Sequence, residues 1–273
     1  GSQHKLRQAL WAPVYADVLE IVNSISTGHT LIPMGDDYHG KLNATTFTSR
    51  KFHASGIEQT VTPSEAFSAF DTPPTYVGPG RIPIITLNGS DEDIIAPDNA
   101  LYTPDDAGGA NGFSTSVWVR FLGYGGNFNR LQGKRQGDGA GSWEVYLSSS
   151  KFVLYVKDES AGAACWRTSN AVIPGLSNQW VNLTATYSGL GANAANGMLL
   201  YIDGLVVASG ATNNSGGTYV GMEDLTTTFA IGSRDTGNFG DPVEYAGGPL
   251  GVWYATGVAT AEQIYRLYQI GRA

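Results

Sequence analysis

Residues 179–209 read QWVNLTATYSGLGANAANGMLLYIDGLVVAS and hold the clearest strand pattern in the chain. In Trp180–Tyr187 apolar and polar residues alternate, which is typical of a strand with one buried face. The apolar runs Leu199–Ile202 and Leu205–Ala208 flank Asp203-Gly204. That pair favours the two-residue type I′ turn of a β-hairpin, because both central residues need positive φ. The stretch therefore predicts an antiparallel sheet.

These residues also resemble laminin G-like domains of the concanavalin A-like lectin/glucanase superfamily. The run from Trp180 to Tyr187 looks like the family pattern W-x-x-V-A-x-T-Y-x-G, and LLYIDGLVVASG at 199–210 looks like L-Y-V-D-G-x-x-V-A. The similarity extends to LNGSDEDIIAPD at 87–98, to Phe113–Phe121 and to Ala259–Tyr268. It covers about residues 80–273 and implies an all-β fold, a concanavalin A-like jelly-roll β-sandwich. It leaves function open, since this fold carries lectins, hydrolases, lyases and scaffolds.

Alternation predicts further strands inside this region. The strand Phe113–Leu122 and a hairpin of Trp143–Leu147 with Phe152–Val156 are the strongest. Weaker runs are Ile82–Leu87, Ile94–Ala96, Asn170–Ile173, Phe229–Gly232 and Leu250–Tyr254. Residues 133–142, rich in glycine and alanine, predict a mobile loop. Thr260 and Gln263 fit a capping box at the start of a closing helix.

Residues 1–79 lie outside the resemblance and form a separate predicted unit, an N-terminal helix followed by an extended arm. Apolar residues recur at helical spacing between Leu6 and Ile25, and Pro13 suits the first turn of a helix that runs to about Ser26. His29–Tyr76 shows little periodicity. Two interpretations stay open: the unit packs on the sandwich of residues 80–273, or it docks on neighbouring subunits.

The composition excludes several classes of protein. Charged residues are 15% of the chain and the formal net charge is −8, which argues against nucleic-acid binding. No apolar run is long enough to span a membrane, and the one cysteine, Cys165, allows no disulfide within the chain. A polar surface with few charges favours an extracellular or virion-surface protein.

Catalysis is not expected. Glucanases of the superfamily carry E-x-D-x-E or a close variant, because retaining hydrolysis needs two carboxylates about 5–5.5 Å apart. The sequence contains no such run, and all four histidines lie before residue 54. The lyase arrangement of tyrosine with histidine is therefore not matched within the resembling region.

Sugar binding is the most specific expectation. Saccharides are held by aromatic faces and planar polar groups. Alternation places five such side chains on the non-core side of their strands: Trp118, Arg120, Glu144, Tyr146 and Tyr155. If the strands are neighbours, the five make one carbohydrate-binding patch. The alternative is that the N-terminal arm covers them, so that Trp118 and Tyr146 belong to a second core.

A calcium ion is the one cofactor that the resemblance implies, because relatives often hold Ca²⁺ with loop carboxylates. Asp91 and Asp93 are the candidate ligands. The leading hypothesis is a non-catalytic module that binds glycans or a surface polymer, as part of a homo-oligomer or a larger assembly. The alternatives are a structural virion, fibre or decoration subunit and a glycan-degrading hydrolase or lyase.

Overall fold

The computed structural model describes residues 16–18, 20–25, 29–34, 47–48, 60–63, 84–90, 93–104, 111–123, 128–136, 140–173, 176, 178–234, 241–246 and 248–272. For residues 29–34, 47–48, 60–63, 84–85, 135–136, 140 and 248–250 the description is limited to the backbone. Leu6, Pro13 and Asp91, which carry expectations above, lie outside these ranges.

Strands make up most of the described chain, with one helix near each end. The first helix, α1, includes residues 16–18 and 20–25. The strands up to the central hairpin are β1 (His29–Met34), β2 (Phe47–Thr48), β3 (Thr60–Pro63), β4 (Ile84–Leu87), β5 (Ile94–Ala96), β6 (Phe113–Phe121), β7 (Phe128–Gln136), β8 (Ala140–Ser148) and β9 (Lys151–Asp158). They are followed by β10 (Ala163–Ser169), β11 (Trp180–Tyr187), β12 (Met198–Ile202), β13 (Leu205–Val206), β14 (Ser209–Ser215), β15 (Phe229–Ile231), β16 (Val243–Ala246), β17 (Gly248–Thr256) and the helix α2 (Ala261–Arg272). Short 3-10 helices cover Ala100–Tyr102 and Gly191–Gly197.

The strands form two antiparallel sheets. The eight-stranded sheet has the order β1-β17-β6-β11-β12-β13. Its remaining two strands are β16, which pairs with β6 along the same edge as β17, and β4, which pairs with β16. The nine-stranded sheet has the order β14-β10-β9-β8-β7-β15-β5-β3-β2. This arrangement confirms the expected all-β, concanavalin A-like jelly-roll sandwich with an N-terminal helix.

The main core lies between the two sheets and is centred on stacked aromatic rings. Phe113 and Trp143 come from opposite sheets, and their ring centroids are 4.7 Å apart. Trp143 also stacks on Tyr254 at 5.5 Å. Polar side chains bridge the sheets inside this core: Gln132 Nε2 donates to Thr115 Oγ1 at 2.6 Å, and the Tyr245 hydroxyl donates to the Leu131 carbonyl at 2.9 Å. These links fix how the two layers sit on each other.

A second core covers the outer face of the eight-stranded sheet. Val18, Ile21 and Val22 of α1 are buried together with Trp118 of β6 and Leu267 of α2. For the described part of residues 1–79, the interpretation that the helix packs on the sandwich is therefore confirmed. The described strands of the arm also pair with strands of the sandwich, since β1 pairs with β17 and β3 pairs with β5.

Several local expectations hold in detail. The strand β11 has the expected bounds, and Asp203 and Gly204 have φ of 51° and 76°, as the type I′ turn requires. The capping box of α2 is formed, because the Thr260 amide donates to Gln263 Oε1 at 2.7 Å and the Gln263 amide to Thr260 Oγ1 at 3.2 Å.

Two local expectations are wrong. Most of the loop expected at residues 133–142 is strand, since β7 runs to Gln136 and β8 begins at Ala140. The strand expected at Asn170–Ile173 is absent there, because β10 ends at Ser169. Within the described residues, no helix has the length and apolar character needed to cross a membrane.

Candidate functional site

The five predicted sugar-binding residues divide between the two sheets. Trp118 and Arg120 lie on β6 in the eight-stranded sheet, whereas Glu144 and Tyr146 lie on β8 and Tyr155 on β9 in the nine-stranded sheet. Because all five point away from the core between the sheets, the two groups face opposite sides of the molecule. The expectation of one continuous patch is therefore wrong. Alternation assigned each side chain to the correct face of its own sheet, but it carries no information on which sheet a strand joins.

Trp118 and Arg120 are part of the layer beneath the helices. The Trp118 side chain is 9% exposed and stacks on Tyr268 of α2, with ring centroids 5.5 Å apart and an angle of 7°. Arg120 forms an ion pair with Glu244 and lies over the Trp180 ring at 5.4 Å. The structure therefore places Trp118 in a second core, as the alternative interpretation expects.

On the outer face of the nine-stranded sheet, three large side chains form a row across adjacent strands. Glu144 is paired with Tyr155, and Tyr155 is paired with Trp166 of β10. Neighbouring strands lie about 4.8 Å apart, so the three side chains stand next to one another. The Tyr155 and Trp166 rings are nearly parallel, at 18° with centroids 6.1 Å apart, and both are half-buried. The row places two nearly parallel aromatic rings beside a carboxylate.

Two arginines hold the carboxylate at the end of this row. Arg130 Nη1 donates to Glu144 Oε2 at 3.0 Å, and Arg234 donates to both carboxylate oxygens, at 3.1 Å from Nε and 2.8 Å from Nη2. The fork of Arg234 matches the planar carboxylate in a bidentate pair. The Glu144 side chain is only 4% exposed. Glu144 therefore orients both guanidinium groups, and the two arginine side chains are themselves only 10% and 12% exposed.

Arg130 also contacts two aromatic rings. Its guanidinium carbon lies 5.0 Å from the centroid of the Phe128 ring and 4.9 Å from that of Tyr146. Both distances are within the range of cation–π attraction. Phe128 is 51% exposed, although its ring is large and apolar. We use the term "aromatic-arginine surface" for Phe128, Arg130, Glu144, Tyr146, Tyr155, Trp166 and Arg234.

The calcium expectation stays a prediction. Asp93 is buried, and its Oδ2 accepts a hydrogen bond from Ser233 Oγ at 2.5 Å, which ties β5 to the segment after β15. Its proposed partner Asp91 lies outside the described residues. In the part of the chain that the structure describes, no three His, Cys, Asp or Glu side chains are grouped to hold a metal ion.

At the rim of the sandwich, one lysine ammonium forms ion pairs with two carboxylates. Lys134 is fully buried, and its Nζ lies 2.8 Å from Asp98 Oδ1, 2.6 Å from Asp224 Oδ1 and 2.8 Å from Thr103 Oγ1. It fixes the segments after β5 and before β15 against β7. We assign it a structural role, because its charge is directed at neighbouring loops and not at an open surface.

Sequence reasoning missed four members of the aromatic-arginine surface. Trp166 lies in β10, whose sequence AACWRTS has little apolar alternation. Arg234 follows the short β15, and Phe128 and Arg130 precede the residues expected to form a loop. No local pattern identifies Arg130 and Arg234 as partners, since 104 positions separate them (130 to 234). The alternation of β7 could have placed Phe128 and Arg130 on one face.

A family comparison agrees with this architecture. Residues 95–247 match a family model described as the concanavalin A-like lectin/glucanases superfamily. The matched region is more than half of the chain, and the protein belongs to this superfamily. A comparison with curated proteins gives no match.

Several solved structures of similar fold are toxin binding domains. The chain is similar to the binding domain of botulinum neurotoxin serotype D/C, at 14% identity and a TM-score of 0.54, covering 88% of this chain and 51% of that one. It is also similar to the ligand binding domain of serotype D in complex with N-acetylneuraminic acid, at 13% identity and a TM-score of 0.53, covering 92% and 52%. A third similar structure is described with the statement that cell entry of botulinum neurotoxin type C depends on interaction with two ganglioside molecules. Its identity to this chain is 15% and the TM-score is 0.51, and the match covers 85% of this chain and 52% of that one. The chain spans about half the length of these chains, and identities this low show the fold alone.

Proposed function

We propose that the protein is a non-catalytic recognition module that binds glycans through the aromatic-arginine surface on the nine-stranded sheet. The observation that carries this proposal is the row formed by Glu144, Tyr155 and Trp166 across three adjacent strands. Parallel aromatic faces beside charged planar groups are what a pyranose needs, since one of its faces is apolar and its hydroxyl groups form directional hydrogen bonds.

The state of Glu144 supports binding over bond cleavage. Its two oxygens already accept three N–H donors from Arg130 and Arg234. A general acid must give a proton to the leaving oxygen, and a retaining nucleophile must reach the anomeric carbon. Glu144 is instead used to position two arginines. Catalysis by a hydrolase or lyase is therefore the less favoured alternative.

The similar toxin domains make glycans the first ligands to test. Two of them are described with gangliosides or N-acetylneuraminic acid. Those ligands belong to domains about twice as long as this chain, so they guide the choice of probes and do not locate the site. A module of this kind acts at a cell or virion surface, and we propose an extracellular or virion-surface location.

A glycan array tests the proposal with the full chain. We expect the wild-type protein to bind a subset of glycans, and Tyr155→Ala and Trp166→Ala to lose that binding while their circular dichroism stays unchanged. Tyr265→Ala is the matched control, because Tyr265 of α2 is 44% exposed and lies with the helices that cover the other sheet. It should bind as the wild type does.

Three results would contradict the proposal. An array without any bound glycan would remove the function, and full binding by both row variants would move the site elsewhere. Release of reducing ends from a polysaccharide, stopped by Glu144→Gln, would restore the enzyme alternative. The hypothesis of a structural subunit and homo-oligomer stays a prediction, which light scattering of the full chain would test.

A further inference from the structure

We propose that the strand β14 (Ser209–Ser215) pairs antiparallel with β14 of a second copy of this chain and joins two nine-stranded sheets edge to edge. Among the described residues, β14 is the last strand of its sheet and pairs with β10 alone. An edge strand exposes backbone N–H and C=O groups that another strand can pair with, and proteins often protect such edges with lysine or proline. The sequence SGATNNS of β14 contains neither residue.

Charged residues are almost absent from the part of the chain that surrounds β14. Residues 168–222 contain one, Asp203, whereas the 15% of the whole chain predicts about eight in these 55 positions. The Asp203 carboxylate accepts a hydrogen bond from the Asn182 amide at 3.0 Å. In a chain of formal net charge −8, two copies repel each other through most of their surfaces. The repulsion is smallest where two uncharged edges meet.

Exposed apolar side chains are concentrated in the same stretch. Leu205 and Val206 come shortly before β14, and Val220 follows Tyr219, whose amide donates to Asn214 Oδ1 at 2.9 Å. Exposed apolar groups close to an uncharged strand are typical of a protein contact. The stretch contains six of the ten exposed large apolar side chains in the described part of the chain: Val172, Leu190, Leu199, Leu205, Val206 and Val220.

Alternate backbone groups of β14 point away from β10. The Ala208 carbonyl accepts a hydrogen bond from the Asn170 amide at 2.9 Å, and the register continues regularly to Thr212. Residues at even positions therefore face β10, whereas Ser209 and Ala211 direct their N–H and C=O groups outward. These outward groups are the ones that a second strand would bind.

Gly210 lies between these two residues, and the fold of a single chain does not require a glycine there. It is not among the glycines with positive φ. An added Cβ would meet one atom within 4 Å, Asn170 Oδ1 at 3.8 Å, which is an ordinary contact distance. Glycine weakens a strand and often marks a place where another backbone approaches closely. A second copy of β14 supplies that backbone.

A two-fold axis at Gly210 pairs the outward groups of both copies. Ser209 of each copy then lies opposite the partner's Ala211, and each pair exchanges two backbone hydrogen bonds. Such an isologous contact brings together two identical surfaces. Opposite residues of an antiparallel pair point to the same face, so both aromatic-arginine surfaces lie on one side of the joined sheet. This last consequence rests on the proposed function and gives the dimer two sites for a multivalent glycan surface.

Sedimentation velocity of the full chain without glycan tests the pairing. We expect a reversible equilibrium between one and two chains, with a dissociation constant in the micromolar range or tighter, as interfaces of ordinary size have.

Gly210→Cys tests the position of the axis. The two Cα atoms would be about 4.5 Å apart, which is within the range of a disulfide. Mild oxidation should link this variant into a covalent dimer. The native Cys165 is buried and should not react. Leu122→Cys is the matched control, because Leu122 is 38% exposed and follows β6 in the other sheet, and it should stay a single chain.

Two variants should separate the copies. Gly210→Lys places like charges opposite each other at the axis, and Ala211→Pro removes an outward N–H donor without removing a hydrogen bond to β10. Both should sediment as single chains, with unchanged circular dichroism. Leu122→Lys adds the same charge elsewhere, and Ala211→Thr keeps both outward backbone groups. These two controls should associate as the wild type does.

The possible failures are distinguishable. A mass of one chain at every concentration would overturn the pairing, and so would a dimer that survives both Gly210→Lys and Ala211→Pro. A dimer that these variants separate, but in which Gly210→Cys forms no covalent link, would overturn the axis at Gly210. All of these measurements are made without glycan. Their failure therefore leaves the proposed function standing, and an array without bound glycan leaves the dimer standing.

Discussion

Gly133 lies directly opposite Glu144 in the β7–β8 pair, and there is no space for a side chain between them. A Cβ atom at Gly133 would lie 2.6 Å from the Trp143 carbonyl oxygen and 2.8 Å from Glu144 Cα. Both neighbours are backbone atoms of β8, the strand that contributes Glu144 to the Arg130–Glu144–Arg234 cluster. The glycine therefore allows β8 to approach β7 at the point where the candidate site is built.

Gly133→Ala is expected to displace β8 and to lower stability. Because backbone cannot rotate away as a side chain can, the cost of the extra methyl group should be about 1–3 kcal/mol. Glycan affinity should fall as well, since Glu144 would shift relative to both arginines. Urea denaturation and calorimetric titration measure the two effects.

The matched control is Gly123→Ala, where an added Cβ meets no atom within 4 Å. Its unfolding midpoint should stay close to that of the wild type. A Gly133→Ala protein as stable as the wild type would show that the two strands can separate at no cost, which would contradict the close approach.

The sequence predicts best those features that depend on near neighbours in the chain. The alternation of Trp180–Tyr187 and the turn at Asp203-Gly204 appear as expected, because the period of a strand and the φ preference of a turn are local properties. The capping box of α2 involves residues three positions apart and is equally local.

Other features depend on partners that are distant in sequence. The glycine-rich sequence predicts a mobile loop at Gly133, because the usual consequence of glycine is backbone freedom, whereas the role of Gly133 in the structure is close approach to β8. Trp118 and Tyr155 have the same alternation, yet β6 pairs with β11 and β9 pairs with β8 and β10 in a different sheet. Sheet membership follows from long-range pairing, which alternation does not encode.

A buried aspartate gives the fold a defined acid sensitivity. Asp158, the last residue of β9, accepts hydrogen bonds from the amides of Ala161 and Val220, each at 2.9 Å. Burial on its own raises the pKa of this carboxyl, but the hydrogen bonds outweigh it, and the pKa lies below its ordinary value of 3.8. A depressed pKa means that the carboxylate stabilises the folded protein above that value, and that this contribution is lost as the pH falls through the folded pKa.

Asp158→Asn should therefore destabilise the protein most at neutral pH. An amide has one acceptor oxygen in place of two, so at least one backbone donor loses its partner, at a cost of about 1–3 kcal/mol. The difference between wild type and variant should begin to shrink below about pH 4, where Asp158 of the unfolded chain becomes protonated, and should go on shrinking as the pH falls through the lower pKa of the folded protein. Urea denaturation at pH 7, 5 and 3 measures it.

The exposed Asp17 of α1 provides the control for this experiment. Asp17→Asn should change stability little at any of the three values. A stability difference for Asp158→Asn that is the same at pH 7 and pH 3 would show that the charge of Asp158 does not stabilise the fold.

Replacement of Trp118 is expected to lower the stability of the fold, whereas replacement of Trp166 is expected to remove glycan binding. Trp118 is almost fully buried, stacks on Tyr268 and lies so close to Gly271 that a Cβ there would be 2.6 Å from the indole nitrogen. Trp118→Ala should therefore lower the free energy of unfolding by about 3–5 kcal/mol, as large-to-small changes of buried aromatic residues do. Glycan binding by the molecules that remain folded should not change, because the indole faces the helices.

Trp166→Ala should show the opposite behaviour, with a smaller loss of stability and loss of glycan binding, since its half-buried ring stands in the row with Tyr155. Trp118→Phe serves as the conservative control and should recover part of the stability that Trp118→Ala loses. Unfolding curves and glycan titration of the same preparations give both quantities. Abolished binding in a Trp118→Ala protein of wild-type stability would return the site to the eight-stranded sheet, because only a surface role for Trp118 could produce that result.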